Sequence, residues 1–363
     1  MTKTKEVISP KKVAFPRYAE YNAPIRYLLE NGVGVKCVVP PRLTHRSLEI
    51  GAKYSPDFVC TPFKILLGNM IEAIEAGADT LVMVYGLCKL GYYGELQEQI
   101  LRDLGFDFDF VNLTEYNTGK IKDLFKAAKY LNPKAKFRKV VKALLEAVKM
   151  TEYIDAVTSE YYKNCGFETE KSSYKKAYEA FIADMYAANT KCEIERAYTK
   201  VKQAFADIPI DKPAQPLRVG IVGEFYTAMD QFSNFDVELK LAEMGVEIHR
   251  WMNVSNMFIH YPGEKNLNVR VKEYSTYQMG PTSTANIRSA KEYAEQHFDG
   301  VIHIKSANCT PEIDVMPVLQ NISTDYKVPI LHLTYDAQTS DVGLMTRLEA
   351  FYDMISMRKK VVR

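Results

Sequence analysis

Two regions of the chain alternate short, mainly apolar runs with stretches of helical periodicity. In the first region the apolar runs are VAF (residues 13–15), VKCVVP (35–40), TLVMVY (80–85) and FDFVNL (108–113). Such runs are typical of strands that are buried on both faces, and the helical stretches between them are typical of crossover connections. The pattern therefore predicts a doubly wound domain in which helices cover a parallel sheet.

The second region follows a linker with three prolines and shows the same alternation. Its strand-like runs are LRVGIVG (217–223), VEIHRW (246–251), VIHIKS (301–306) and PILHLTY (329–335), and a helical pattern ends the chain. The run GIVGE lacks the G-x-G-x-x-G spacing and the downstream acidic residue of a dinucleotide-binding turn. We therefore expect a second α/β domain that has no nucleotide site at this turn.

The region between them, residues 117–206, has Ala, Lys, Glu and Tyr at helical spacing and no strand-like run. The sequence thus predicts an α/β protein with two doubly wound parallel-sheet domains and a helical middle segment. The expected limits are 1–116 for the first α/β domain, 117–212 for the helical insert with its Pro-rich linker, and 213–363 for the second α/β domain.

Composition narrows the class of protein. With 363 residues, 47% of them hydrophobic, the chain is long enough for two or three packed domains. The amino terminus lacks the apolar stretch of a secretory signal, and no run reaches the roughly 18 apolar residues that a membrane helix needs. A net charge of +2 provides no basic field for nucleic acid. We expect a cytoplasmic protein that binds neither membranes nor nucleic acids.

The candidate chemistry lies in the cysteines. Six cysteines are too sparse for a disulfide framework, and in a reducing compartment they are thiols or metal ligands. Two of them, Cys60 and Cys309, begin the same tripeptide, Cys-Thr-Pro. The threonine of each copy, Thr61 or Thr310, suits the N-cap of a helix, and the proline suits the first helical position. Cys88 follows the run TLVMVY and precedes another helical stretch.

All three of these cysteines are expected beyond the carboxyl ends of parallel strands, at helix amino termini. Open α/β sheets bind their ligands at this edge. The positive end of each helix dipole is expected to lower the thiol pKa and so to favour the thiolate, which is the form that binds metal. The remaining cysteines have no such turn chemistry, and we interpret them as ordinary thiols; they are Cys37, Cys165 and Cys192.

The number and spacing of the thiols bear on the metal. Structural zinc sites usually have four ligands, often in C-x-x-C pairs, and this sequence has no such pair. Three widely separated thiolates suit an iron–sulfur cube better, and one iron of that cube would keep an open coordination position. A zinc site completed by His303 or His260 is an alternative, and a purely structural role for the three cysteines is another.

Several motifs, some of which contain these cysteines, resemble those of a known family. They are VAFPRYAEYNAPIRYLLENG, CTPFKILLG, GLCKLGYYGELQ, ANCTPE and YDAQTSDVGLMTRLEAFYDM, and together they span both predicted α/β domains. The chain resembles the iron–sulfur subunits of 2-hydroxyacyl-CoA dehydratases, a family that includes benzoyl-CoA reductase subunits, double-cubane cluster proteins and proteins related to the CoA protein activase. Cys60, Cys88 and Cys309 fall on the three cluster cysteines of that family.

The resemblance implies a [4Fe–4S] cluster, alone or as half of a double cubane, that is reduced at low potential by an ATP-hydrolysing activator. It also implies an anaerobic electron-transfer function in a lyase or a reductase, with an acyl-CoA substrate for the dehydratase members. The partner subunit would be a second copy of the chain or a related subunit. The sequence has no P-loop, so any ATP hydrolysis belongs to the activator.

Two departures from the family pattern bear on the substrate. Many relatives have a histidine where this chain has Gly68-Asn69, and an arginine where it has Lys89. Around the cluster, Lys64 and Lys89 are candidates to oppose its negative charge, and Tyr92 is a candidate hydroxyl donor. The alternative function is a two-domain regulatory protein that binds zinc or a small ligand and has no redox chemistry.

Overall fold

The computed structural model describes residues 11–83, 92–113, 121–277 and 279–362. The first region contains, in chain order, β1 (Lys12–Ala14), α1 (Asn22–Tyr27), a π-helical turn (Leu28–Val33), β2 (Lys36–Cys37), α2 (His45–Tyr54), α3 (Thr61–Glu75), β3 (Thr80–Met83), α4 (Tyr93–Asp103) and β4 (Asp109–Asn112). The middle helices are α5 (Ile121–Leu131), α6 (Phe137–Asn164), α7 (Ser173–Ala187) and α8 (Lys191–Asp207), with a 3-10 turn (Cys165–Phe167) after α6.

The second region resumes the alternation of strands and helices. Its elements are β5 (Leu217–Gly223), α9 (Phe225–Met229), α10 (Val237–Glu243), β6 (Val246–Arg250), a π-helical turn (Ser255–Ile259), α11 (Glu264–Arg270), α12 (Pro281–Glu295), β7 (Gly300–Ser306), α13 (Thr310–Tyr326), β8 (Ile330–Tyr335) and α14 (Asp341–Val362).

The eight strands of the described ranges form two parallel sheets with the same order. The first sheet has the order β2-β1-β3-β4 and the second β6-β5-β7-β8, and every neighbouring pair is parallel. The predicted fold class, two doubly wound α/β units with helices between them, is therefore confirmed. The residue limits predicted for the three domains stay predictions.

Both faces of the first sheet are buried, which explains why its strands have no polar alternation. Ala14 and Leu81 pack against α3 on one face. Val13 and Val82 pack against the π-helical turn and α5 on the other. Because side chains alternate along a strand, two consecutive apolar residues cover both faces at once. The short runs of the sequence thus correspond to strands between two helical layers.

Three of the middle helices, α6, α7 and α8, pack on the second sheet and do not form a separate core. Val219, Ile221 and Ile302 of the second sheet lie in one apolar cluster with residues of α6, α7 and α8. The same cluster includes Tyr27 of α1, because α6 extends over 28 residues and contacts both regions. The opposite face of the second sheet, with Val222 and Val301, packs against α12 and α13.

Several local elements differ from the sequence prediction. The strand expected from the run VKCVVP contains only two residues, which form β2, and the chain directly before Cys60 is a turn. The segment between them forms α2, whose start is fixed by reciprocal hydrogen bonds between Thr44 and Ser47. Between β6 and α12 the chain adds a π-helical turn and α11, which the alternation found in the sequence did not include. Capping chemistry and tertiary packing, which apolar periodicity does not report, account for these differences.

Within the described ranges, each helix is either too short or too polar to span a lipid bilayer.

Helix α3, which carries Cys60 at its amino terminus, is held by a close crossing with α2. A Cβ atom on Gly68 of α3 would lie 1.8 Å from the carbonyl oxygen of Ser47, and one on Gly51 of α2 would lie 1.7 Å from that of Lys64. Only glycine at both positions allows the two backbones to approach so closely. This crossing fixes the orientation of α3.

We predict that Gly68→Ala destabilises the protein by at least about 3 kcal/mol, the upper end of ordinary overpacking, because the obstacle is backbone. The free energy of unfolding from urea titration measures the effect. Gly343→Ala is the matched control, since a Cβ there meets nothing within 4 Å, and it is expected to be neutral or slightly stabilising. Equal stability of the two variants would contradict the role given to the crossing.

Candidate functional site

The amino terminus of α3 contacts the carboxyl ends of two strands of the second sheet. The backbone N–H of Thr61 donates to Ser306 Oγ at 2.8 Å, and Thr61 Oγ1 donates to the carbonyl oxygen of Tyr335 at 3.3 Å. Asn308 Nδ2 donates to the carbonyl oxygen of Val59 at 3.4 Å. These contacts bring the ligand-binding edge of one α/β unit against that of the other.

Cys60 and Cys309 are the N-cap residues of α3 and α13 at this junction. Cys60 is among the groups that raise the pKa of Cys309, so the two thiols lie within electrostatic range of each other. We call Cys60, Thr61, Ser306 and Cys309 the cysteine edge. The structure therefore brings together two cysteines that the sequence places almost at opposite ends of the chain.

The helix starts differ by one residue from the prediction, which assigned the N-caps to Thr61 and Thr310. In the structure each cysteine is the N-cap and each proline occupies one of the first two helical positions. At Thr61 the helix start differs because the hydroxyl group that would otherwise cap the helix is hydrogen-bonded to the second sheet. Thr310 is exposed.

The predicted lowering of the thiol pKa is wrong for Cys309. Its pKa is raised, first because burial disfavours the thiolate and then because the carboxyl groups of Glu224 and Glu312 lie near it. The backbone N–H of Glu312, at the start of α13, lowers the pKa, but by less. Burial thus outweighs the effect of the helix terminus at this position, and that burial arises from tertiary packing.

Cys88 and Lys89 lie outside the described residues, in the chain between β3 and α4. Of the other residues proposed around the site, Tyr92 is 76% exposed, and Lys64 Nζ donates to the carbonyl oxygen of Asp57 at 3.2 Å. The hydroxyl group that contacts the Sγ of Cys60 belongs to Tyr93. The sequence alone does not show which of these two adjacent tyrosines contacts the thiol. The start of α4 decides it.

A hydrogen-bonded line of buried polar groups extends inward from the cysteine edge, and no pattern in the sequence predicted it. Glu312, on the first turn of α13, lies 2.8 Å from Nε2 of His303 and accepts hydrogen bonds from Asn286 Nδ2 at 2.9 and 3.0 Å. Nδ1 of His303 lies 2.8 Å from Nδ1 of His332. The two histidines are direct partners in the register of β7 and β8.

Burial keeps this line uncharged. It raises the pKa of Glu312 to about 8 and lowers the pKa of His303 to about 3 and that of His332 to about 4. At neutral pH a protonated Glu312 therefore donates to Nε2 of His303, and Nδ1–H of His303 donates to His332. This carboxyl group adds negative charge next to Cys309 only as pH rises through about 8.

The zinc alternative receives no support from the two histidines proposed for it. Both ring nitrogens of His303 have hydrogen-bond partners, and His260 contacts Glu152 of α6 at 3.0 Å. Within the described ranges no group of three or more His, Cys, Asp and Glu side chains has the arrangement of a metal site. Two thiols at adjoining helix amino termini are nevertheless the kind of donor that an iron–sulfur cluster requires, so the residues at the cysteine edge fit that group.

The remaining cysteines are not part of the cysteine edge. Burial raises the pKa of Cys37 and of Cys165 to about 12, and Cys192 is exposed on α8. Cys37 lies in β2 and Cys165 in the 3-10 turn after α6, away from the helix starts that carry Cys60 and Cys309.

Comparison with protein-family models finds no match to this chain, and comparison with curated proteins finds none either.

We predict that Ser306→Ala lowers the free energy of unfolding by about 1–3 kcal/mol, because it leaves the buried N–H of Thr61 without its partner. Urea titration measures the change. Thr346→Ala, at an exposed position of α14, is the control and should stay within about 0.5 kcal/mol of the wild type. A Ser306 variant as stable as this control would show that the junction does not depend on the hydrogen bond.

A second prediction concerns pH and the metal-free protein. The pKa of Glu312 is about 8 in the fold against 4.5 for a free side chain, so its stabilising contribution is complete at low pH and is lost as pH rises through 8. The pKa of His303 is shifted in the opposite direction, so this side chain destabilises the fold only below about pH 6.5, where the unfolded chain is protonated. Between pH 6.5 and 8 the wild type should therefore lose up to about 2 kcal/mol more stability than Glu312→Gln.

Urea titrations of both proteins at several pH values in this window test the prediction. Other carboxyl groups are common to the two proteins and cancel in the difference. Parallel pH profiles would mean that Glu312 is already ionised at neutral pH.

Proposed function

We propose that this protein is an iron–sulfur redox subunit of the 2-hydroxyacyl-CoA dehydratase type. Cys60, Cys88 and Cys309 would hold a [4Fe–4S] cluster. The observation that supports the proposal is the meeting of Cys60 and Cys309 at two helix amino termini, where two parallel sheets adjoin at their carboxyl ends. The family motifs of the sequence, which include both of these cysteines, support it as well.

When bound, the cluster supplies one-electron chemistry at low potential. The chain prepares the place in three ways. The first N–H groups of α3 and α13 favour negative charge near the two thiols. The hydroxyl of Tyr93 donates to the Cys60 sulfur once that sulfur is a thiolate. The Glu312 carboxyl stays protonated and so avoids repulsion.

Loading the site requires the loss of a proton from Cys309. Because burial raises the pKa of this thiol, metal has to displace a proton that solution conditions do not remove at neutral pH. Iron uptake should accordingly be favoured by higher pH.

The partners belong to the same proposal. An ATP-hydrolysing activator would deliver the electron, and an acyl-CoA thioester would receive it, in an anaerobic cytoplasm. The second subunit would be another copy of this chain or a related one. The resemblance supports these assignments, and the lack of a P-loop in the sequence supports a separate activator.

Anaerobic reconstitution with iron and sulfide tests the proposal directly. We expect a brown protein with about four irons per chain and the EPR signal of a reduced cube. Cys60→Ser, Cys88→Ser and Cys309→Ser should each lose most of the iron, because removing one of three ligands destabilises the cube. Cys192→Ser is the matched control: it removes an exposed thiol outside the cysteine edge and should keep the full iron content.

Two results would count against the proposal. A colourless protein after reconstitution would exclude the cluster, and about one zinc per chain without visible absorption would favour the regulatory alternative. Unchanged iron and EPR spectra in Cys88→Ser would remove that residue from the ligand set.

A further inference from the structure

A cavity of about 260 Å³ lies where the two α/β units and the middle helices meet. Arg17 follows β1, Arg42 precedes α2, Arg250 ends β6, and Thr158 and Tyr162 lie on α6; all five line the cavity. None of its described lining residues is a cysteine. Drug-sized ligands occupy cavities of about 300–1,000 Å³, so this one has room for a small metabolite. We call it the three-part cavity.

Arg250, which lines the three-part cavity, has a guanidinium donor without a protein acceptor. The side chain of Arg250 is 9% exposed; its Nε donates to Glu238 at 2.9 Å and its Nη1 donates to the carbonyl oxygen of Met252 at 2.6 Å. In the described part of the chain, Nη2 of Arg250 has no hydrogen-bond partner. Solvent reaches this atom, so it is open to a ligand. An oxygen atom of a ligand would satisfy it.

The exposed end of the cavity carries a charge without a counter-ion. Arg17 lies 3.6 Å from Glu20, whereas Arg42 has no ion-pair or hydrogen-bond partner within the described ranges. Two aspartates also line the cavity, but burial raises the pKa of Asp230 and of Asp236, which weakens their opposition to an anion. Arg17 and Arg250 each have a carboxylate partner, so Arg42 is the lining arginine without one in the described part of the chain.

The cavity wall also contains backbone that ordinary residues avoid. Ala19 has φ of 45° and Asp236 has φ of 54°, and both line the cavity. Left-handed backbone at non-glycine residues persists only where the surroundings hold it, and it clusters at ligand clamps. The strain thus lies at the same place as the unsatisfied donor and the unpaired charge.

We infer that the three-part cavity binds a small organic anion that carries hydroxyl or carbonyl oxygens. Its carboxylate or phosphate group pairs with Arg42, because a guanidinium matches both groups with two parallel hydrogen bonds. Its oxygens meet Nη2 of Arg250 and the hydroxyls of Thr158 and Tyr162. This site goes beyond the proposed redox function, and its occupancy does not depend on the cysteines.

Isothermal titration of the metal-free full-length protein tests the inference, with L-malate as the carboxylate probe and glycerol 3-phosphate as the phosphate probe. We expect saturable binding of at least one probe at constant ionic strength, and which of them binds identifies the anionic group. Concentrations up to about 10 mM fill nine-tenths of a site with a Kd of about 1 mM. Arg42→Ala should weaken binding at least about tenfold, the effect of one lost charge-assisted hydrogen bond.

Arg138→Ala is the matched control, because Arg138 is an exposed arginine on α6 that does not line the cavity; it should bind like the wild type. Circular dichroism checks that both variants are folded. Absence of binding of both probes up to about 10 mM overturns the inference, and so does binding to Arg42→Ala at wild-type affinity. Iron content plays no part in these measurements, so their failure is distinct from failure of the cluster.

Discussion

The docking of α3 on the ends of β7 and β8 is the contact on which the rest of this structure depends. A buried backbone N–H of Thr61 finds its acceptor on Ser306, in the other α/β unit, and a group of this kind cannot be left without a partner cheaply. The α2–α3 crossing at Gly51 and Gly68 makes the approach of α3 rigid. The position of Cys60 next to Cys309 follows from these two constraints.

Desolvation governs the electrostatics at the junction. A helix dipole contributes about 0.3–1 kcal/mol to a nearby charge, whereas burial shifts a pKa by several units. At Cys309 the second effect is the larger, and the same effect keeps Glu312 protonated beside it. The Cys309 thiol therefore keeps its proton at neutral pH, and a metal has to displace that proton in order to bind.

The sequence was sufficient for the fold class, because strands between two helical layers must be apolar throughout. It also placed Cys60 and Cys309 at helix starts, since proline and threonine mark such positions. It was not sufficient where tertiary register decides. The pairing of His303 with His332 depends on how β7 and β8 align, and the choice of Tyr93 over Tyr92 depends on the start of α4. The α3 start moved because Thr61 bonds to a distant strand.

Helix α6 touches both α/β units within one continuous core. An insert that packed only against itself could be lost or replaced during evolution without harm to its host. Removing this one would strip the apolar face of the second sheet and uncover Tyr27 of α1 at the same time. Selection therefore has to retain the three parts as a single heritable unit, even if only a few of their residues perform chemistry.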